Sequence, residues 1–318
     1  MDITKNIYSI FNVKYADFYN INVEEDTAKF IQPYTVEWLD SDIAKQCNAI
    51  ALDFFNTVHE KLEAEDYKEA DLLFSNHLSE PKENCLGYAS TTNGKGLKDL
   101  AHGAMELILG QPHLIGQIKQ IADLQLYVSQ IMNDRVSDIY TNVTRDALNT
   151  YTLQQCKLHK MEHLIKLVPF GSYWDMSTHQ WVHGAKKPML VINNKPIILV
   201  PKSFLKGSYS PLSMYRNVIL PDLISEDLRA RVSSLIRQKK NGEFYITKKD
   251  KDAQLRKSDY IPSKAAMIEY AKLHNDCTDK LRRILRNNRE RKLASKLRRS
   301  GQIRNDQAKK SSNLINNV

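Results

Sequence analysis

Closely spaced cysteines are missing from this sequence. Cys47, Cys85, Cys156 and Cys277 lie far apart with no C-x-x-C step, which argues against a zinc ribbon or a small disulfide framework and for reduced thiols. Long apolar runs are missing too. No stretch approaches the roughly 18–20 uninterrupted apolar residues that cross a bilayer. Met1-Asp2-Ile3-Thr4-Lys5 has neither the basic nor the apolar region of a secretory signal. The expectation is a cytoplasmic protein with no membrane span. Several catalytic signatures are absent as well: the P-loop spacing, the G-x-G-x-x-G of a dinucleotide site, a G-x-S-x-G elbow and an R-x-x-x-x-H step. Gly94-Lys95-Gly96 could cradle a phosphate at a helix start, but a surface turn accounts for it as well. His159 with His163, and His179 with His183, have a zinc-like i,i+4 spacing. The first pair lacks the glutamate of H-E-x-x-H and Trp181 interrupts the second, so both read as structural.

What the chain does have is an uneven charge. Its 318 residues are 42% hydrophobic and 26% charged, enough for one large or two ordinary domains. The net charge is +9, yet Lys280 to Lys310 holds thirteen Lys or Arg against two acids, a local +11 that leaves −2 for everything else. A near-neutral body over residues 1–279, with a sub-boundary near 165–188 as an option, therefore carries a basic helical arm over 280–318 whose end is expected to be disordered.

Apolar spacing gives the elements. Residues 1–45 read as an irregular or strand-bearing start. Ile43 to Ala64 and Leu97 to Leu109 have helical periodicity, the second halted by Gly110-Gln111-Pro112. Asp71 to Tyr88 reads as a loop or strand pair, and Leu124 to Val128 as an alternating strand. A helix capped by Asn133 or Asp134 then runs to about Glu162. Met189 to Ile192 and Ile197 to Val200 form a hairpin about Asn193-Asn194. Ser225 to Gln238 reads as a helix, Glu243 to Thr247 as a strand after Asn241-Gly242, and Lys264 to Leu297 as a helix again. The class is α+β or α/β: a small central sheet, several helices and a basic carboxyl-terminal helical arm.

One polar constellation could carry chemistry. Asp134, Asp138, Asn142 and Arg145 fall within about 80° on one helical face, opposite Val136, Ile139, Tyr140, Val143 and Ala147. Two carboxylates one turn apart, extended by an amide oxygen, suit the hard-oxygen shell of Mg²⁺. Glu83 is a further ligand candidate. Lys202, closing the strand Ile197 to Val200, could assist an attacking water, as in metal nucleases of the restriction-enzyme kind. The acid-x-Lys step of those enzymes is absent, since Val200 stands two before Lys202. Against this stands the plainer account of a solvated polar face.

The arm is the stronger signal. Arg282, Arg283, Arg286, Arg289, Arg291, Lys292, Lys296, Arg298 and Arg299 surround a thin stripe of Leu281, Ile284, Leu285, Leu293 and Leu297. Arginine outnumbers lysine, which favours forked phosphate contacts. An acidic protein or an anionic membrane would also answer to that charge. No aromatics interleave the arm, so base stacking is not expected there.

Through Asp134-Arg135-Val136-Ser137-Asp138 to Asn142, Tyr151-Thr152-Leu153-Gln154-Gln155-Cys156 and Leu199-Val200-Pro201-Lys202, the chain resembles uncharacterised bacterial proteins associated with mobile elements and antiviral or restriction loci. The likeness covers roughly residues 80–250 and implies a phage-defence setting without assigning catalytic residues. Two functions follow as expectations. One is a defence-associated Mg²⁺-dependent nuclease using Asp134, Asp138 and Lys202, with Asn142 and Glu83 completing the metal shell. The other is a non-catalytic nucleic-acid-binding sensor or scaffold that partners a separate effector. DNA is expected ahead of RNA, with a protein partner from the same locus.

Overall fold

The computed structural model describes residues 5–87, 96–205, 236–242, 244–247, 249–250, 264–291 and 294–295. It divides into two compact units, Met1–Asn275 and Asp276–Val318. The architecture is α+β, with helices around small antiparallel sheets.

Two long helices set the frame of the first unit. In α3 (Asp42–Glu63) the buried residues Ala44, Cys47, Ala51, Phe54, Phe55, Val58 and Leu62 recur every three or four positions, one apolar stripe of a 3.6-residue helix. That stripe packs against α7 (Asn133–Leu158), α4 (Tyr67–Ser75) and α2 (Pro33–Glu37). α5 (Leu97–Leu109) packs on α4 and ends at Gly110 as its sequence requires. The short α1 (Ile7–Ile10) is capped by Asn6, whose Oδ1 accepts from the amides of Tyr8 and Ser9 at 3.0 and 3.3 Å.

The three-stranded sheet has the order β1 (Ile165–Pro169), β4 (Lys186–Ile192), β5 (Lys195–Ile197), all antiparallel. Asn193 and Asn194 turn β4 into β5 with φ of 50° and 60°, the pair of positive values that a two-residue type I′ hairpin needs. A second hairpin, β2 (Tyr173–Asp175) with β3 (Gln180–Val182), sets Trp174 opposite Trp181. Both indoles meet Phe54 edge-on, at 5.1 and 5.4 Å between centroids, and their N–H groups donate to Asp53 and to the Leu73 carbonyl at 2.7 Å. Buried indoles need such partners.

Several expectations are corrected. Leu124 to Val128 is not a strand. Leu124–Tyr127 is the short helix α6, which follows a 3₁₀ turn (Ile121–Asp123) closed by Asp123, whose Oδ2 accepts from the amides of Lys119 and Gln120 at 2.9 and 3.1 Å. All four residues are buried, and a short run buried on every side shows no period. Asp71 to Tyr88 begins inside α4 and continues through a 3₁₀ turn at Lys82–Asn84. The start of the chain is held by isolated bridges (Asn6 with Asn22, Phe18 with Pro201, Thr27 with Leu86) and, among the described residues, no full strand. α7 begins at Asn133 with Met132 as its cap residue, and it ends at Leu158. β5 stops at Ile197 because the next amides bond elsewhere: Ile198 to the Glu83 carbonyl at 2.8 Å and Leu199 to Thr152 Oγ1 at 2.8 Å. The helix expected over 225–238 lies outside the described residues except at its end, where Arg237–Gln238 is β6, paired with β7 (Phe244–Tyr245). The helix from Lys264 is interrupted. α8 spans Lys264–Leu273, and helix α9 spans 277–291.

Among the described residues no helix is long and apolar enough to cross a membrane. All four cysteines are free and buried.

Candidate functional site

α7 is unusual in what it buries. Beside Val136, Ile139, Tyr140, Val143 and Leu148, it buries Ser137, Thr141, Asn142, Thr144, Arg145, Asn149, Thr152 and Gln155. Half of the face that could be solvated is inside, since Asn142 is 0% and Arg145 1% exposed, while Asp134 and Asp138 are half-buried. A buried polar group needs partners, and several of these find them in the chain around the helix, although Asn149 Oδ1 and Gln155 Oε1 have none among the described residues. Ser137 Oγ accepts from the Ile31 amide at 3.0 Å. Asn84 Nδ2 donates to Thr141 Oγ1 at 3.2 Å, and Asn149 Nδ2 donates to the Pro188 carbonyl at 3.1 Å. Each bond latches a loop or strand to the helix.

Asn142 is the fullest case. Its Oδ1 accepts from the Ser79 amide at 3.2 Å and from Arg145 Nη2 at 3.2 Å, while its Nδ2 donates to the Ser79 carbonyl at 2.7 Å and the Asp138 carbonyl at 2.8 Å. The amide oxygen offered to Mg²⁺ by the sequence reading is already engaged. Arg145 reaches further. Its Nε lies 2.6 Å from Glu83 Oε1, and its Nη1 donates to the Ser172 carbonyl at 2.7 Å. The guanidinium passes so close to Gly171 that a Cβ there would lie 1.9 Å from Nη1. One buried side chain thus ties the 82–84 turn and the β1–β2 connection to the central helix. Burial pulls its pKa down, opposed by the Glu83 carboxylate.

Asp134 and Asp138 do come together, but with Arg135 and Glu80 among them. Arg135 Nη1 pairs with Glu80 and lies 3.7 Å from Asp138 Oδ2, while its Nε is 3.9 Å from Asp134 Oδ2. Burial pushes the Asp138 carboxyl up to about 8, with Glu80 and Asp134 adding repulsion and Arg135 opposing it. Burial and these neighbouring acids both favour the protonated carboxyl. The guanidinium of Arg135 takes the place that a cation would take among these acids. With Asn142 and Glu83 engaged elsewhere, this donor set does not fit the expected Mg²⁺ shell. Among the described residues no cluster of three or more His, Cys, Asp or Glu is arranged for a metal.

Lys202 is not part of this group of contacts. It opens a 3₁₀ turn (Lys202–Leu205), its amide donates to the Asp17 carbonyl at 2.8 Å, and its ammonium lies 5.1 Å over the Tyr8 ring. Asp134 follows α6 and a turn, not the strand expected over Leu124 to Val128. His183 stacks on His77 at 5.1 Å, and His179 pairs with Asp53 at 3.0 Å. These two histidines flank strand β3 and do not share a helix face. Gly94 and Lys95 lie outside the described residues; Gly96 caps α5 in extended conformation without a side chain to help. Beside Glu83 a cavity of about 430 Å³ is lined by Glu24, Glu25, Asp26, Lys82 and Lys195 among others, a mixture of signs with no preference for a polyanion.

The basic arm is described as far as 291, with 294–295 beyond. Cys277, Thr278, Leu281 and Leu285 are buried along one face of α9, the i, i+4, i+8 stripe that the leucines announced. Arg283, Arg286 and Arg291 are exposed, Arg282 and Arg289 half-buried. Lys292, Lys296, Arg298 and Arg299 lie outside the described residues.

The class this defines is an α+β body organised on a polar central helix, with a basic helix at its carboxyl end. Residues 10–211 match a family described as a domain of unknown function (DUF8370), and the chain belongs to that family. The matched span holds α7 and the sheet and ends before the basic arm. No curated protein and no solved structure matches the chain.

Proposed function

We propose that this protein is a nucleic-acid-binding component of a bacterial antiviral defence system, working in the cytoplasm as a non-catalytic sensor or scaffold beside a separate effector. The observation that carries the reading is charge segregation. A +11 segment follows a remainder of −2, and its exposed cations Arg283, Arg286 and Arg291 stand on the face of α9 away from Leu281 and Leu285. Cations at this density displace condensed counterions from a phosphate backbone, the dominant source of sequence-independent affinity. The defence setting comes from the resemblance carried by Asp134 to Asn142, Tyr151 to Cys156 and Leu199 to Lys202. A non-catalytic role is favoured over a Mg²⁺-dependent nuclease because Asn142, Arg145 and Glu83 hold the fold together, and Lys202 faces Tyr8.

The test uses the full chain with Arg283→Gln, Arg286→Gln and Arg291→Gln together. Each neutralised phosphate contributes about 0.9 to the slope of log affinity against log salt. The triple variant should therefore lose between two and three of that slope on duplex DNA, measured by fluorescence anisotropy from about 50 to 200 mM salt. Wild-type binding that ignores salt over this range would remove the phosphate-based role. Asp134→Ala with Asp138→Ala should leave binding unchanged, and Mg²⁺-dependent cleavage by the wild type that this pair abolishes would restore the nuclease reading.

A further inference from the structure

We infer that each face of the β6–β7 hairpin offers one ring on which a base of single-stranded nucleic acid stacks, a second contact that builds on the phosphate-binding role proposed above. The hairpin exposes two aromatic side chains, Phe244 at 57% and Tyr245 at 38%. Among the described residues the other exposed Phe, Tyr or Trp rings, Tyr15 and Tyr67, stand far apart in the chain, whereas the hairpin sets two exposed rings side by side in sequence. Cations flank the rings along the chain. Residues 237–257 hold eight Lys or Arg against three acids, a basic segment separate from the arm. Arg237 pairs across the ladder with Tyr245, and Gln238 with Phe244. Successive strand residues point to opposite faces, so each face of the hairpin carries one ring. The Lys239 ammonium lies 5.8 Å over the Tyr245 ring, and Lys240 is exposed at the turn.

The hairpin holds its own shape. Gly242 takes φ of 84°, its amide donates to the Lys239 carbonyl at 2.9 Å, and Gln238 Nε2 donates to the Gly242 carbonyl at 3.0 Å. Ile246 is buried at 8% and fixes the base. Beyond it Thr247 Oγ1 donates to Asp250 Oδ2 at 2.5 Å, with Arg237 3.6 Å from the same carboxylate. The two rings and the Lys239 ammonium are thus held on one hairpin. Apolar rings with cations beside them match a ligand that combines flat π-faces with a negative backbone. In a duplex those faces are already covered by neighbouring bases, so the rings gain only from a single strand.

The experiment compares wild type with the full-length Phe244→Ala/Tyr245→Ala variant on three probes: oligothymidylate of about 20 nucleotides, a duplex of equal length, and inorganic polyphosphate, which has the charge without the bases. Stacking on an aromatic ring is worth roughly 5- to 150-fold per base. Oligothymidylate affinity should fall by about 10-fold or more, while duplex and polyphosphate change by less than about twofold. Phe244→Tyr with Tyr245→Phe should bind as wild type. A full-length Phe244→Trp variant should show emission quenched by oligothymidylate and not by polyphosphate, a readout independent of the alanine variant's folding. Equal losses on all three probes, no loss on any, or indole emission in the Phe244→Trp variant that oligothymidylate leaves unquenched would overturn the stacking site and leave the phosphate-based reading intact. Wild-type protein that binds none of the three would overturn both.

Discussion

The central helix α7 and the carboxyl-terminal helix α9 are both rich in polar side chains, and the two use them in opposite ways. In α7 they are inside and satisfied by neighbours of the same chain: Asn142 by Ser79, Arg145 by Glu83 and Ser172, Thr152 by Leu199. In α9 a buried stripe of Cys277, Leu281 and Leu285 leaves Arg283 and Arg291 in solvent. A polar group buried with its partner contributes to specifying the fold, and one that faces water can meet a ligand. The pattern of an Asp–Asp–Asn–Arg stripe on a helix does not by itself distinguish these uses.

Six substitutions at α7, at Gly171 and in α9 test the contrast, the largest effect first. Arg145→Met removes one partner of a buried pair and strands Glu83, so it should lower stability by about 3–5 kcal/mol, read by denaturant unfolding; a loss below about 1 kcal/mol would show that Arg145 does not fasten the fold. Gly171→Ala places a methyl where Arg145 Nη1 lies and should cost about 1–3 kcal/mol by displacing the guanidinium. Combined with Arg145→Met, it should add little, because the clash is gone.

Asp138→Asn should be stabilising, and only where the carboxyl is out of step with solvent. Folded Asp138 keeps its proton to about pH 8, whereas the unfolded chain releases it near the ordinary 3.8. The folded state therefore binds the extra proton between those values, and the contribution of Asp138 to stability falls as pH rises across that window. The substitution should raise stability by about 1–3 kcal/mol at pH 9 and have no measurable effect below about pH 4. A pH-independent difference in melting temperature would show that burial does not hold Asp138 neutral. The smallest effect belongs to α9: Arg283→Gln, Arg286→Gln and Arg291→Gln should each shift stability by no more than about 0.5 kcal/mol. A larger loss would mean that those arginines serve the fold as α7 does.

The parts legible in the sequence are those governed by near neighbours. α3 and α5 are set by apolar spacing that one stripe can satisfy, and the Asn193-Asn194 turn by the positive φ that asparagine tolerates. α6 was not legible, because its four residues are all buried and so carry no helical period. The end of β5 was not legible either, since Ile198 and Leu199 bond to Glu83 and Thr152 from distant parts of the chain. Of the candidate site, the helical face and the closeness of Asp134 to Asp138 could be read. The intrusion of Arg135 is visible in hindsight as a cation between two acids. The engagement of Asn142 by Ser79 leaves no local trace. The exposed aromatic pair on the hairpin lay within a segment read only as a strand after Asn241-Gly242. Its charge, counted apart from the arm, was the available signal.

By itself the sequence determined the helices with one apolar stripe, the asparagine turn, the reduced cysteines and the placement of +11 at one end, since each depends on side-chain character summed over a short stretch. The tertiary structure alone decided whether a polar side chain is a tool or a fastener. That outcome depends on which backbone groups arrive beside it from 27, 63 or 106 residues away, and a buried donor must take whichever acceptor the packing brings.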